Sequence, residues 1–415
     1  MIEENRRHCL SIDNRDRTEY FLKNRKGLLT RKYEDMWESR SVELSSLTEA
    51  GKYLSKDLKL KLNKQAKDDF QFSPGKILRD NEFVIDALRN LDLPAWQVVF
   101  RANHSRRILV KKENKKRESV FKYFSILIKL KLKEHRDFIE VGEGSVQAAK
   151  FNQDGLLTRV KEIIENHKKS KNITFTDKIP VILNAGDGAI IFHEILGHSL
   201  EADYLYQGVS PISPADLGKK IVSPNVTLVT GDKKDDFFKN ISWDDEGEAA
   251  KPIVLIKNGV LKNVIADSFH KELLNLKNCG FSRVKDFTGL PMPRMYALYL
   301  KPGRYHPGEL IESTKYGVYA KEFGAGKVYF NKNLFYFNIK DAYLIENGRL
   351  SFPLGSVVVR GNIIETLNSV DKIADDFRYD KGSSYCFKNG QTINVRVGQP
   401  TVKINNLMVT KEIND

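Results

Sequence analysis

The sequence predicts an α+β protein of two domains. The first is an N-terminal α/β domain built on a β-meander and helices; the second is a C-terminal, mainly antiparallel β domain that carries an HExxxH helix. Three observations lead there. The chain has 415 residues, 41% of them hydrophobic, which is enough for more than one core. Asn258-Gly259, Asn347-Gly348 and Asn389-Gly390 each sit between apolar runs. Asn-Gly is the strongest short hairpin signal because both central residues of a type I′ turn need positive φ. Residues 128–133 alternate apolar and basic side chains, the period of a strand with one wet face.

Composition excludes several classes. With 10% aromatic residues the chain can collapse, so global disorder is ruled out. No run of eighteen apolar residues occurs, so no spanning helix and no membrane partner are expected. The first seventeen residues have charges without an apolar core behind them, which does not read as a secretory signal. Cys9, Cys279 and Cys386 are odd in number and far apart, which argues against a disulfide framework and for the cytoplasm. The net charge of +14 is uneven: residues 1–150 hold 33 Lys and Arg against 23 Asp and Glu, the remainder 35 against 31. The densest basic run, 111–117, lies between strand-like segments. It reads as a solvated turn with lysines guarding strand edges rather than as a grip on nucleic acid.

Taken in order, residues 1–75 are charged and weakly helical near 44–62, and are kept apart as an atypical segment. Residues 76–172 form the first domain: a helix over 83–90, then the meander, with strand material at 97–100 and 107–110. A helix follows with Leu156, Val160, Ile163 and Ile164 on one side. The polar stretch 170–172 marks the boundary. Residues 173–415 form the second domain. Within it Pro180-Val181-Ile182-Leu183 is a short buried strand, broken by Gly186-Asp187-Gly188. A helix over 189–200 follows with Asp187 as a cap, and beyond Lys219 the chain is mostly β.

The sharpest chemical signal is Phe192-His193-Glu194-Ile195-Leu196-Gly197-His198. Two imidazoles can bind a zinc ion, and the carboxylate beside the first can take a proton from the attacking water. In the HExxH arrangement the histidines are four apart, about 400° round a helix and so on one face. Here they are five apart, about 500°, which on an ideal helix turns the second some 140° away. For both to reach one ion the helix must bulge or end between them, and Gly197 is where a break is cheapest. Cys386 sits in a small-residue loop running into the Asn389-Gly390 hairpin; taken alone it is a buried small hydrophobe more readily than a ligand.

Residues 180–409 resemble the TldD/PmbA family of metallopeptidases. His193-Glu194-Ile195-Leu196-Gly197-His198-Ser199-Leu200-Glu201-Ala202-Asp203 is similar to the family's HExxGHxLExD signature. Asp244-Asp245-Glu246-Gly247 with the following Asn258-Gly259, then Pro293-Arg294-Met295, and Ala342-Tyr343-Leu344 before Asn347-Gly348 continue in family order. Cys386 through Gly398-Gln399-Pro400 resembles its CGKxGQxxxxGxP ending, with Phe387 standing where the family has glycine; against the family, the N-terminal domain of residues 76–172 is shortened. The resemblance implies one zinc per chain held by His193, His198 and Cys386, with Glu194 as general base. It implies hydrolysis of unfolded or extended peptides, and a homodimer or a heterodimer with a PmbA-like subunit. The alternative is a non-catalytic peptide-binding or adaptor subunit of such a dimer.

Overall fold

The computed structural model describes residues 1–33, 37–43, 73–110, 116–133, 138–146, 151–239, 241–277, 280–382 and 384–411. The helical reading of 44–62, most of the basic run and Cys279 fall outside the described residues. The architecture is mixed, with strands predominating over a few helices.

The N-terminal part is one six-stranded antiparallel sheet. It comprises β1 (Ile2–Asp13), β2 (Thr18–Tyr33), β3 (Trp37–Glu43), β4 (Ala95–Val110), β5 (Lys116–Lys131) and β6 (Ile139–Ser145), in the order β3-β2-β1-β4-β5-β6. The two short stretches read as strands at 97–100 and 107–110 are a single strand, β4. β1 pairs with β4, and β2 and β3 extend the sheet from β1, so three strands of this sheet come from the segment kept apart as atypical. Helices α1 (Pro74–Asp80), α2 (Glu82–Arg89) and α3 (Gln153–Lys169) cover one face. Leu10, Val98, Phe100, Ile126, Ile128 and Leu130 interlock there with Val84, Leu88, Leu156, Val160 and Ile163. Residue 129 and its alternate neighbours keep their charge off this core, as a period-two strand requires.

Beyond α3 the strand β7 (Ile179–Leu183) enters a second, larger core. Tyr316–Tyr329, Leu334–Glu346, Arg349–Asn362 and Val402–Lys411 join β7 in one sheet. Pairing of Val357–Arg360 with Met408–Lys411 closes it into a barrel. A second sheet runs from Val260–Leu261 and Ile253–Lys257 through Leu228–Thr230 and Ala297–Leu300 to Arg396–Gln399 and Arg378–Tyr379. Most pairings are antiparallel, but β7 runs parallel to Tyr316–Tyr329 and Ala297–Leu300 parallel to Arg396–Gln399. Partners so far apart in sequence are not bound by hairpin geometry. All three Asn-Gly pairs have positive φ at both residues and each joins two antiparallel strands.

The segment 189–200 packs between the barrel and the second sheet, with Ile191, Phe192, Ile195 and Leu196 fully buried among Val318, Ala320 and Leu298. Asp187 does not cap it. The cap position is Gly188, with no side-chain bond, because the Asp187 carboxylate is taken by the backbone amide and ammonium of Lys381 at 3.1 and 2.7 Å.

The two cores are tied by α3. Arg159 meets Glu322 of the barrel in a two-pronged pair, 2.9 and 2.8 Å, with both side chains largely buried. Removing one partner of such a pair strands the other charge. Lys381 lies 3.5 Å from the same carboxylate, so part of the loss is recovered. Arg159→Ala is expected to destabilise the protein by about 3 kcal/mol, read as a lowered denaturant midpoint; an unchanged midpoint would contradict the placement of this pair.

Candidate metal centre

The segment carrying the two histidines changes its winding twice. Ala189–Phe192 is α-helical, His193–Gly197 is a π turn, and His198–Leu200 is 3-10. The amide of His198 donates to the carbonyl of His193, an i→i+5 bond that widens the turn by one residue. Residues five apart thereby come round to the same side, and the imidazole centroids lie 5.0 Å apart at 80°. Gly197 keeps ordinary helical angles, φ −57° and ψ −54°, so conformational freedom is not its role. Space is: a Cβ there would lie 2.3 Å from Met295 Sδ and 3.0 Å from Leu298 Cδ2.

Cys386 comes from the hairpin of Tyr385–Lys388 and Gln391–Asn394, turned at Asn389-Gly390. Its side chain packs with Ile393 and Val395, and its Sγ lies 3.2 Å from His198 Nε2. One ligand atom from each of His193, His198 and Cys386 falls within 4.8 Å of the others, and all three residues are buried. Both ring nitrogens of His193 are buried without a hydrogen-bond partner, a cost that a ligand would remove. Burial pushes the Cys386 thiol up, but the imidazoles of His198 and His193 beside it outweigh this and hold it well below the usual thiol range. Burial lowers His198, and Cys386 and Glu201 together raise it well above the ordinary imidazole value. Two imidazoles and a thiolate are a donor set that suits zinc. Glu194 Oε2 lies 3.9 Å from His198 Nε2, with its side chain 27% exposed, so this carboxylate borders both the cluster and solvent.

A model of the PmbA/TldA metallopeptidase C-terminal domain matches residues 176–411. The chain belongs to the PmbA/TldD metallopeptidase family. It is 34% identical over 230 residues to a metalloprotease TldD homolog of Buchnera aphidicola, covering 55% of this chain and 47% of that one. It is 30% identical over 261 residues to a zinc metalloprotease TldD homolog of Saccharolobus solfataricus, covering 62% and 57%. The chain thus spans about half the length of the curated relatives it matches. TldE from Thermococcus kodakarensis shares the fold, with a TM-score of 0.70 at 16% identity over 99% of this chain and 96% of that one. Among the described residues no helix is long and apolar enough to cross a membrane.

In this PmbA/TldD-family chain a second layer of side chains supports the three donors. His198 Nδ1 lies 2.7 Å from Glu201 Oε2, which leaves Nε2 for the cluster. Burial acts to raise the Glu201 carboxyl, but His198 and Lys388 hold it down at about 2. The Lys388 ammonium donates to Glu201 and Asp203, both at 2.7 Å, and to the Pro293 carbonyl at 3.2 Å. It also sits 4.1 Å from the centre of the Tyr204 ring. Arg294, sealed from solvent, donates to the carbonyls of Cys386 and Gln391 at 2.7 and 2.9 Å. Neither local pattern nor spacing assigns a role to Glu201, Asp203, Lys388 or Arg294. A signal for Lys388 was available: two residues from Cys386 on a strand, it shares that residue's face.

Ligand orientation of this kind is worth 10- to 100-fold in metal affinity. Glu201→Gln, which removes the charge that holds both His198 and Lys388, is expected to weaken zinc binding by about that range in a chelator competition titration; wild-type affinity in the variant would show that the layer is dispensable.

Proposed function

We propose that this chain is a zinc-dependent peptidase that hydrolyses unfolded or extended peptides, with His193, His198 and Cys386 as the ligands of one zinc and Glu194 as general base. The observation that carries the reading is the convergence of three buried donor atoms within 4.8 Å beside a partly exposed carboxylate 3.9 Å from one of them. The names of the curated relatives support it at the level of the family.

Bound by these donors, zinc supplies Lewis acidity toward a peptide carbonyl and toward water. Glu194 takes the proton of the attacking water and delivers it to the departing amine, one group serving as base and then acid. Its position next to His193 in sequence and near His198 in space keeps it within reach of both events. Glu201 holds the tautomer of His198 by occupying Nδ1. An extended peptide would pair with a strand edge and so bind with little sequence preference. The same proposal includes assembly as a dimer, with a second copy or a PmbA-like subunit.

Glu194→Gln should retain one zinc per chain and lose hydrolysis of an unstructured peptide by about 100-fold or more. Retained turnover would remove Glu194 as base. A wild-type protein that holds zinc and binds peptide without cleaving it would instead assign the chain as a non-catalytic subunit. Cys386→Ala should lose most of its zinc, measured by metal analysis after dialysis; unchanged content would exclude the thiolate as a ligand.

A further inference from the structure

A cleft of about 480 Å³ lies between the first sheet and the body that carries the metal cluster. Its roof is the sheet face opposite the helices. Lys23, Arg7, Asn103 and Tyr123 are successive cross-strand partners on β2, β1, β4 and β5, so their side chains form one row on that face. Phe21, Cys9 and Arg101 form the next row. The floor includes Trp243, Asp245, Arg283, Lys285 and the pair Tyr385 and Asn394. Tyr385 and Cys386 are neighbours on one strand and therefore face opposite ways. The cleft and the metal cluster thus lie on the two sides of a single hairpin.

The charge of this lining is one-sided. Arg7, Lys23, Arg101, Arg107, Arg283 and Lys285 border the cleft against one carboxylate, Asp245. Asp245 is already taken by the Arg107 guanidinium at 2.5 Å and the Val284 amide at 2.7 Å. Arg7 pairs with Asp286, and Arg283 spends its donors on the carbonyls of Met295 and Asn394. Among the described residues Lys23, Arg101 and Lys285 form no ion pair. Three lining polar atoms are also buried without a partner: Tyr123 Oη, Asn103 Oδ1 and Asn394 Nδ2. Buried groups of this kind are normally satisfied. Phe21 and Trp243, 61% and 37% exposed, also line the cleft; the Arg117 guanidinium covers one face of Trp243, 3.8 Å from its ring centre, and leaves Phe21 the more open of the two.

We infer that this cleft is an anchoring site for an acidic peptide segment with aromatic side chains, and that it gives the peptidase a preference for substrates carrying such a segment. Carboxylates answer Lys23, Lys285 and Arg101, which form no ion pair among the described residues; the Arg101 guanidinium lies 5.9 Å from the centre of the Tyr385 ring. Peptide N–H and C=O groups answer the unpartnered acceptor and donors, and aromatic side chains answer Phe21 and Trp243. The volume suits a few residues of extended chain and lies within the range of small-ligand pockets. A nucleic acid would need an open basic track along the surface, and these cations converge into a cleft instead.

The inference rests on the peptidase reading, so binding and cleavage are measured separately. With zinc-loaded Glu194→Gln protein, fluorescence anisotropy compares a labelled peptide of alternating Glu and Phe with its Lys-for-Glu counterpart and with an eight-nucleotide oligothymidylate. The acidic peptide is expected to bind at least tenfold tighter than either. Lys23→Glu and Lys285→Glu, both on partly exposed positions, should each weaken it about tenfold with zinc content and thermal midpoint unchanged. The milder Arg101→Gln should weaken it in the same direction. Equal affinity for acidic and basic peptides, preference for the oligonucleotide, or variants that bind as before would each overturn the site. Wild-type protein that cleaves acidic and neutral peptides equally well would remove this inference and leave the peptidase standing. Acidic-peptide binding without any cleavage would support the site and remove the peptidase.

Discussion

Lys388 is sealed from solvent, and its ammonium joins two segments 187 residues apart. On one side is Glu201, which holds the ring of His198; on the other is the strand that presents Cys386 two residues earlier. A buried pair of this sort gives little net stability, because desolvating both charges costs about as much as their attraction returns. What it fixes is distance. The Glu201–Lys388 contact sets how far the hairpin can stand from the histidine helix, and Arg294 locks the same hairpin through the carbonyls of Cys386 and Gln391. The sulfur and the two imidazoles are therefore placed by charge and hydrogen bonds that do not themselves touch the cluster.

The π turn is the second half of this arrangement. Five-residue spacing and α-helical winding are incompatible with two histidines on one side, and the chain resolves the conflict by changing the winding over His193–Gly197. Widening a turn brings the backbone closer to its neighbours, and Gly197 accommodates that approach against Met295. The barrel and the second sheet supply the rigid walls: Ile191, Phe192, Ile195 and Leu196 fill the space between them, so the helix has no freedom to rewind.

How much of this could be read from residues alone depends on the range of the interaction. The Asn-Gly hairpins were legible because a type I′ turn is a two-residue affair. Helix α3 was legible because one apolar stripe faces one core. The need for a break between His193 and His198 followed from angular arithmetic, although the reason for glycine there turned out to be room and not flexibility. The meeting of Cys386 with the histidines spans 188 residues and no local pattern encodes it; only the family resemblance pointed to it. Strands β1 and β2 escaped notice for a different reason. One face of each looks into the cationic cleft, where charged Arg7 and Lys23 stand beside Cys9 and Phe21 and blur the alternation of an ordinary strand; among the described residues of β1, Leu10 and Ile12 are the apolar side chains buried in the core. Asp187 looked like a helix cap by position, and the Lys381 ammonium that claims it lies 194 residues away.

The central claim is a zinc coordinated by one sulfur and two imidazole nitrogens of this chain. X-ray absorption at the zinc edge, on protein loaded with one equivalent, tests it most directly. One sulfur at about 2.3 Å and imidazole nitrogens at about 2.0–2.1 Å are expected, with the sulfur shell absent from Cys386→Ser. A first shell of nitrogen and oxygen alone in the wild type would contradict it.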